Sequence, residues 1–221
     1  MPNTNALALY IVYMRYSLLL LIPAIWLAAC NQTPKSNKHD NPSAAVTDSS
    51  SNSTQKPVTA DKLIVPGKSI GQATIDENSA DVIKRLGKPD GGDAAMGKSV
   101  SIWYANHDTT GYQTMIYASR QMGTADETSR VKQIKITSPW FTTADSVHAG
   151  STLQQIRQHY QVKKAAYYNK GNQQYTIYGT TQGIAFEVDP QDKCVAVIVY
   201  EPDSQASGVY LPFYSNLKVV E

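Results

Sequence analysis

Eight residues of this sequence have the spacing of a phosphate cradle. Gly92-Asp93-Ala94-Ala95-Met96-Gly97-Lys98-Ser99 fits G-x-x-x-x-G-K-[ST], in which backbone N–H groups hold phosphates, the Lys pairs with them and the Ser holds Mg²⁺. That chemistry requires a strand before the loop and a helix after it, so that the helix N-terminus faces the anion. Here the order is reversed. A helix-stop signal at Gly87, reinforced by Pro89, precedes the motif, and an aromatic strand pattern at Trp103 follows it. The expectation is an ordinary helix–strand loop, with no nucleotide and no other cofactor. The four histidines, His39, His107, His148 and His159, show no H-E-x-x-H spacing, and no metal site is expected. Asp76-Glu77, Asp189 and Asp192 read as capping and turn carboxylates, and no G-x-S-x-G elbow occurs. No catalytic set is therefore visible, and the expectation is a non-enzyme. An envelope hydrolase would need His148 or His159 to meet a carboxylate only in three dimensions.

The chain has 221 residues, 20 Lys and Arg against 18 Asp and Glu, a net charge of +2 and two cysteines. A near-neutral balance argues against nucleic acid as a partner, which calls for clustered Lys and Arg. Two cysteines exclude a disulfide-dense scaffold. Cys194 sits in an apolar run from Val195 to Val199 and reads as a small buried hydrophobe. Cys30 is different. Met14-Arg15-Tyr16 provides a start and a positive charge, Ser17 to Trp26 is almost unbroken apolar sequence, and small residues follow. This is the layout of a secretory signal, with Met14 as the expected start. Its apolar core is about half the ~20 residues that a membrane-spanning helix needs.

The ending Leu27-Ala28-Ala29-Cys30 resembles the lipobox of bacterial lipoproteins. The resemblance implies cleavage before Cys30, acylation of that cysteine (palmitate-type chains) and a membrane anchor without a spanning helix. Two or more chains make such an anchor stable. Asn31 follows the cysteine where lipoproteins retained at the inner membrane carry Asp. The resemblance therefore implies the outer membrane, facing the periplasm. Residues 30–60 follow as a tether: Ser, Asn, Thr and Pro fill 17 of the 30 positions after Cys30. Such a segment buries too little apolar surface to order itself, and its reach is about 30 Å.

The elements that would position any site come next. Val82, Ile83 and Leu86 suggest a helix stopped at Gly87. Strand runs follow at 101–104, 114–118 and 131–136. Ser151-Thr152-Leu153-Gln154 suggests a second helix start with Ser151 as N-cap, continued by Ile156 and Tyr160. Strand runs then recur at 174–178, 184–188 and 194–200, with Tyr167-Tyr168 beginning another. Ile83 to Ile156 is 73 residues and Trp103 to Ile177 is 74. The expectation is an α+β fold of tandem units, 61–139 and 140–221, each a short helix plus a three-stranded antiparallel sheet, with helices on one face. Ile134 and Ile136 alternate with Gln133 and Lys135, and Phe186 and Val188 with Glu187, so these strands read as buried on one face only. Asp189-Pro190-Gln191-Asp192 signals a hairpin turn.

Gly67-Lys68-Ser69-Ile70-Gly71, then Asp81 to Asp90 with Leu86-Gly87-Lys88-Pro89-Asp90, then Trp103-Tyr104 resemble a superfamily of small lipoproteins. Its members include the small lipoprotein of the outer-membrane β-barrel assembly machinery and the tandem β-lactamase inhibitor proteins. The resemblance implies a helix-plus-three-strand unit and binding rather than catalysis, and no binding residue transfers. Tyr and Trp have an apolar body and a polar tip and are enriched at interfaces. Tyr104, Tyr117, Tyr175 and Tyr178, with Trp140-Phe141 in the link between units, are the candidate binding surface. A half-buried sheet face for the tyrosines, and a staple between units for Trp140-Phe141, remain open alternatives. The expected role is a lipid-anchored module that binds an envelope protein or cell-wall component. A spacer in which only anchor and tether matter is the remaining alternative.

Overall fold

A computed structural model describes residues 59–204, 213–214 and 216–220. The signal segment, Cys30 and the tether up to residue 58 lie outside the described residues. The chain opens with three short strands, β1 (Leu63–Val65), β2 (Ser69–Ile70) and β3 (Ala73–Thr74), followed by α1 (Ser79–Leu86). Four longer strands come next: β4 (Gly91–Ala95), β5 (Lys98–Tyr104), β6 (Gln113–Ser119) and β7 (Arg130–Ile136). After β8 (Thr142–Thr143) and α2 (Leu153–His159) come β9 (Lys163–Lys170), β10 (Gln173–Gly179), β11 (Ile184–Val188) and β12 (Cys194–Tyr200); β13 (Lys218–Val219) is last.

Both helices begin where side chains cap them. The Asn78 side chain accepts from the Ala80 N–H, and α1 ends at Gly87, whose φ of 87° lies in a region L side chains avoid. For α2 the cap is Thr152, one residue later than expected: Thr152 and Gln155 exchange both bonds of a capping box. Strands β4 to β7 and β9 to β13 form one nine-stranded antiparallel sheet in the order β13-β9-β10-β11-β12-β7-β6-β5-β4; β3-β2-β1-β8 form a smaller one. The smaller sheet is held to the larger at the turns. Gly67 N–H donates to Gly183 O at 3.1 Å. A Cβ on Gly183, φ 80°, would come within 2.3 Å of Tyr200 O.

Val82 of α1 and Leu153 and Ile156 of α2 pack with Ile134, Ile136, Val197, Val199 and Phe186 of the large sheet and with Ile64 and Ile70 of the small one. Both helices thus bury their apolar stripe against one sheet face. Trp103 ties α1 to that sheet by donating from Nε1 to Gly87 O at 3.0 Å. Cys194 lies in the same core, as its apolar flanks suggested.

The tandem units of one helix and a three-stranded sheet are not what the chain builds. The first four strands after each helix, β4 to β7 and β9 to β12, all belong to a single sheet, joined where β12 pairs with β7. What remains of the expected α+β class is coarser: two helices against one face of a predominantly antiparallel, strand-rich fold. Strand β4 escaped sequence reading because Gly-Gly-Asp-Ala-Ala has no β-branched or aromatic residue. Pairing with β5 makes it a strand. The phosphate-cradle spacing accordingly falls on a β4–β5 hairpin rather than on a helix–strand loop.

Ile156 is fully buried where α2 meets the sheet. Ile156→Ala should lower unfolding free energy by about 2–5 kcal/mol, measured by urea unfolding followed in far-UV circular dichroism. A loss below about 0.5 kcal/mol, the usual size for a surface substitution, would contradict this packing.

Candidate functional site

Alternation along a strand sends every second residue to the opposite side of the sheet. On β7 that residue set is Gln133 and Lys135, and on β11 it is Ala185 and Glu187. Sequence reading left this side open to solvent. In the structure it is covered: Gln133 is 3 % exposed, Lys135 5 % and Glu187 3 %. The cover is made by Tyr168 of β9, Tyr175 of β10 and the segment carrying Phe213, Tyr214 and Leu217, which packs on a second cluster of Ala166, Ile177, Ala185, Ile198 and Tyr200. Both faces of the large sheet are therefore buried around β7, β11 and β12, which corrects the one-face expectation for β7 and β11.

The Lys135 ammonium lies 2.8 Å from Glu187 Oε2. These residues stand on strands two apart, and their side chains meet across β12, where the small Ala196 is paired with Glu187. The Tyr168 hydroxyl donates to Glu187 Oε1 and the Tyr214 hydroxyl to Oε2. The three tyrosine rings form a pile: Tyr168 stacks on Tyr214 at 3.8 Å and on Tyr175 at 5.2 Å. The Lys135 ammonium also sits 4.2 Å from the Tyr214 ring centroid, within cation–π range. Burial pushes the Lys135 ammonium below the usual lysine range, opposed by the Glu187 charge. Burial, and then the Glu187 charge, push the Tyr168 hydroxyl well above the usual tyrosine range, so it stays a donor. The cluster floors a cavity of about 580 Å³ whose rim includes Gln113, Thr137, Asn169 and Lys170.

The candidate aromatics do not form one surface. Tyr104, Tyr117 and Tyr175 share this second sheet face by register, but Tyr117 is buried and only Tyr175 lines the cavity. Tyr178 points to the helix side, where it packs against the main core with the Arg157 guanidinium 5.7 Å from its ring. Phe141 also packs on that core, with the Lys62 ammonium 4.6 Å from its ring centroid. Its neighbour Trp140 is 60 % exposed and meets Tyr112 edge-on at 5.5 Å. Sequence reading missed Lys135, Glu187, Tyr168 and Tyr214 as a group. The available signal was a single charge in the second face of each of two strands, Lys135 beside Gln133 and Glu187 beside Ala185.

The histidines stay apart from this cluster. His107 Nδ1 lies 2.5 Å from Asp90 Oδ1 at an exposed position. The Tyr104 backbone N–H, then His107, hold the Asp90 carboxyl below its usual range. His148 Nδ1 pairs with Ala149 O at 2.7 Å, and His159 lines a separate cavity with Asp145 and Tyr160. Among the described residues no group of three His, Cys, Asp or Glu could hold a metal ion, and no helix is long and apolar enough to cross a membrane.

No protein-family model matches this chain, and no curated protein matches it. Two solved structures are similar in part. One is a cysteine-rich secretory protein from Staphylococcus aureus, 11 % identical, TM-score 0.38, covering 62 % of this chain and 48 % of its own. The other is an extracellular protein containing a SCP domain from Bacillus anthracis, 9 % identical, TM-score 0.37, covering 58 % and 44 %. The chain thus spans about half the length of these matched chains.

Two measurements bear on the cluster and on Cys194. Glu187→Gln leaves a buried ammonium without its counter-charge and should cost about 3–5 kcal/mol, while Lys135→Met with Glu187→Leu should restore most of it; unfolding titrations of the three chains compare them. Burial pushes the Cys194 thiol up to about 12. In the folded protein at pH 8 it should therefore react with Ellman's reagent orders of magnitude more slowly than in denaturant.

Proposed function

We propose that this chain is a lipid-anchored envelope lipoprotein that binds another protein or an envelope component without catalysis, through the groove over Lys135 and Glu187. The anchor belongs to Cys30, the location to the periplasmic side of the outer membrane, and the tether carries the folded part clear of the headgroups. The observation that supports binding at this place is the buried Lys135–Glu187 pair beneath a pile of tyrosines. A buried ion pair is a weak source of stability, so its presence under an aromatic-walled groove favours a role in recognition. The half-buried Tyr175 and the exposed Asn169 and Lys170 present amphipathic and charged groups at the rim, the chemistry enriched at interfaces.

Two measurements test the proposal. Labelled palmitate should enter the wild-type chain and not Cys30→Ser. A photo-cross-linking residue in place of Tyr175 should give a discrete adduct in intact envelopes, and the same residue in place of Met96, which is 81 % exposed on the β4–β5 turn, should not. Equal labelling of wild type and Cys30→Ser would remove the anchor; identical adducts, or none, at the two positions would remove the groove. Full function after replacing the folded part by an unrelated domain would favour the spacer.

A further inference from the structure

The segment over the groove resembles a bound ligand more than an integral strand. Its strand, β13, pairs with only Ala166 and Tyr167 of the eight-residue β9. Lys218, Val219 and Val220 are exposed. Its hold on the sheet comes from Tyr214, whose hydroxyl reaches Glu187 and whose ring stacks on Tyr168 beside the Lys135 ammonium, with Phe213 and Leu217 packed on the second cluster and the Asn216 side-chain N–H donating to Asn169 O. Strand addition with one inserted side chain is how sheet edges capture extended peptides: main-chain bonds give affinity and the pocket gives specificity.

The edge also extends past what the described residues of the segment use. Beyond Val220, whose N–H donates to Ala165 O, β9 continues to Lys163 and Lys164 along a cavity of about 460 Å³. Strands β9, β10 and β13 carry Lys163, Lys164, Lys170 and Lys218 and no acidic residue. Glu187, the carboxylate that lines the groove, is already paired with Lys135. A longer visitor with acidic side chains would complement this edge better than the chain's own segment, which brings a further lysine.

We infer that the groove takes an extended, acidic, tyrosine-bearing segment of a partner protein, which adds to β9 and places its tyrosine where Tyr214 sits, displacing residues 213–220. This rests on the binding role proposed above and names the ligand. The affinity seen in the resting chain is lowered because the chain's own segment competes, in proportion to how seldom the edge is free.

The probe is a fluorescent peptide with the sequence of residues 213–220, titrated by anisotropy into the full detergent-solubilised lipoprotein. Wild type should bind it weakly, and the full-length Tyr214→Ala variant roughly tenfold more tightly or better, as expected once the competing state is depopulated. A peptide with the Tyr214→Ala change should not bind. A peptide with Lys218→Glu should bind more tightly than the parent, with the gain shrinking in salt. No binding to a folded Tyr214→Ala variant would overturn the inference, and equal affinity of the Lys218→Glu peptide would overturn its acidic character. Hydrogen exchange on wild type needs no variant: the Val220 amide should exchange far faster than those of Ile134 and Val197, and equally slow exchange would make the segment integral and end the proposal. A concentration-dependent dimer in sedimentation would assign the groove to a second copy instead. A cross-link from position 175 without peptide exchange would overturn only this inference and leave the binding role standing.

Discussion

Strands β7 and β12 pair antiparallel at the centre of the large sheet, with Ile136 opposite Val197, Lys135 opposite Ile198 and Ile134 opposite Val199. This seam joins the strands that follow α1 to those that follow α2. It also sorts their side chains. Ile134, Ile136, Val197 and Val199 go to the helix side and build the main core, while Lys135 and Ile198 go to the other. A slip of one residue would exchange the two sets, placing a lysine against α2 and isoleucines beneath the tyrosine pile. Register at this one pair of strands therefore decides which side is the core and which side can host a polar cluster.

The second face follows from that constraint. An ammonium sent to a covered face needs a counter-charge, because an unpaired buried charge is costly. Glu187 supplies it from β11, and Ala196 leaves room for the two side chains to meet across β12. The carboxylate then has oxygens to spare, and the hydroxyls of Tyr168 and Tyr214 take them. Packing and hydrogen bonding reinforce each other here. The same residue that satisfies Glu187 holds residues 213–220 against the sheet, so the cover of this face and the occupant of its groove are one segment. Among the described residues the helix face has no buried ion pair of this kind: its core is predominantly apolar.

Much of the local structure was legible before the fold was. Strand 184–188 alternates Ile184, Phe186 and Val188 with Ala185 and Glu187, strand 194–200 is apolar throughout and rich in Val and Ile, and their turn at Asp189-Pro190-Gln191-Asp192 is chemically explicit. Helix α1 is delimited by its apolar spacing and by Gly87. The misses have physical causes. Strand β4 has no strand-forming side chain, β1 to β3 and β8 are two or three residues long, and α2 has two adjacent capping hydroxyls, of which Thr152 rather than Ser151 meets Gln155. The three-stranded units failed because strand runs do not reveal their lateral neighbours, and β7 and β12 found each other.

Composition and spacing alone carry the expectation of a secretory-type start with its lipobox-like Cys30 and of a polar tether, and they determined the alternation along the long strands and the mismatch between the Gly92–Ser99 spacing and a phosphate cradle, since each is a matter of residues near one another in the chain. Tertiary structure decided the single nine-stranded sheet, the burial of both its faces around β7, β11 and β12, and the meeting of Lys135, Glu187, Tyr168 and Tyr214. Those four come from β7, β11, β9 and the closing segment, and no short-range pattern records a contact between side chains that only strand register and the covering segment bring together.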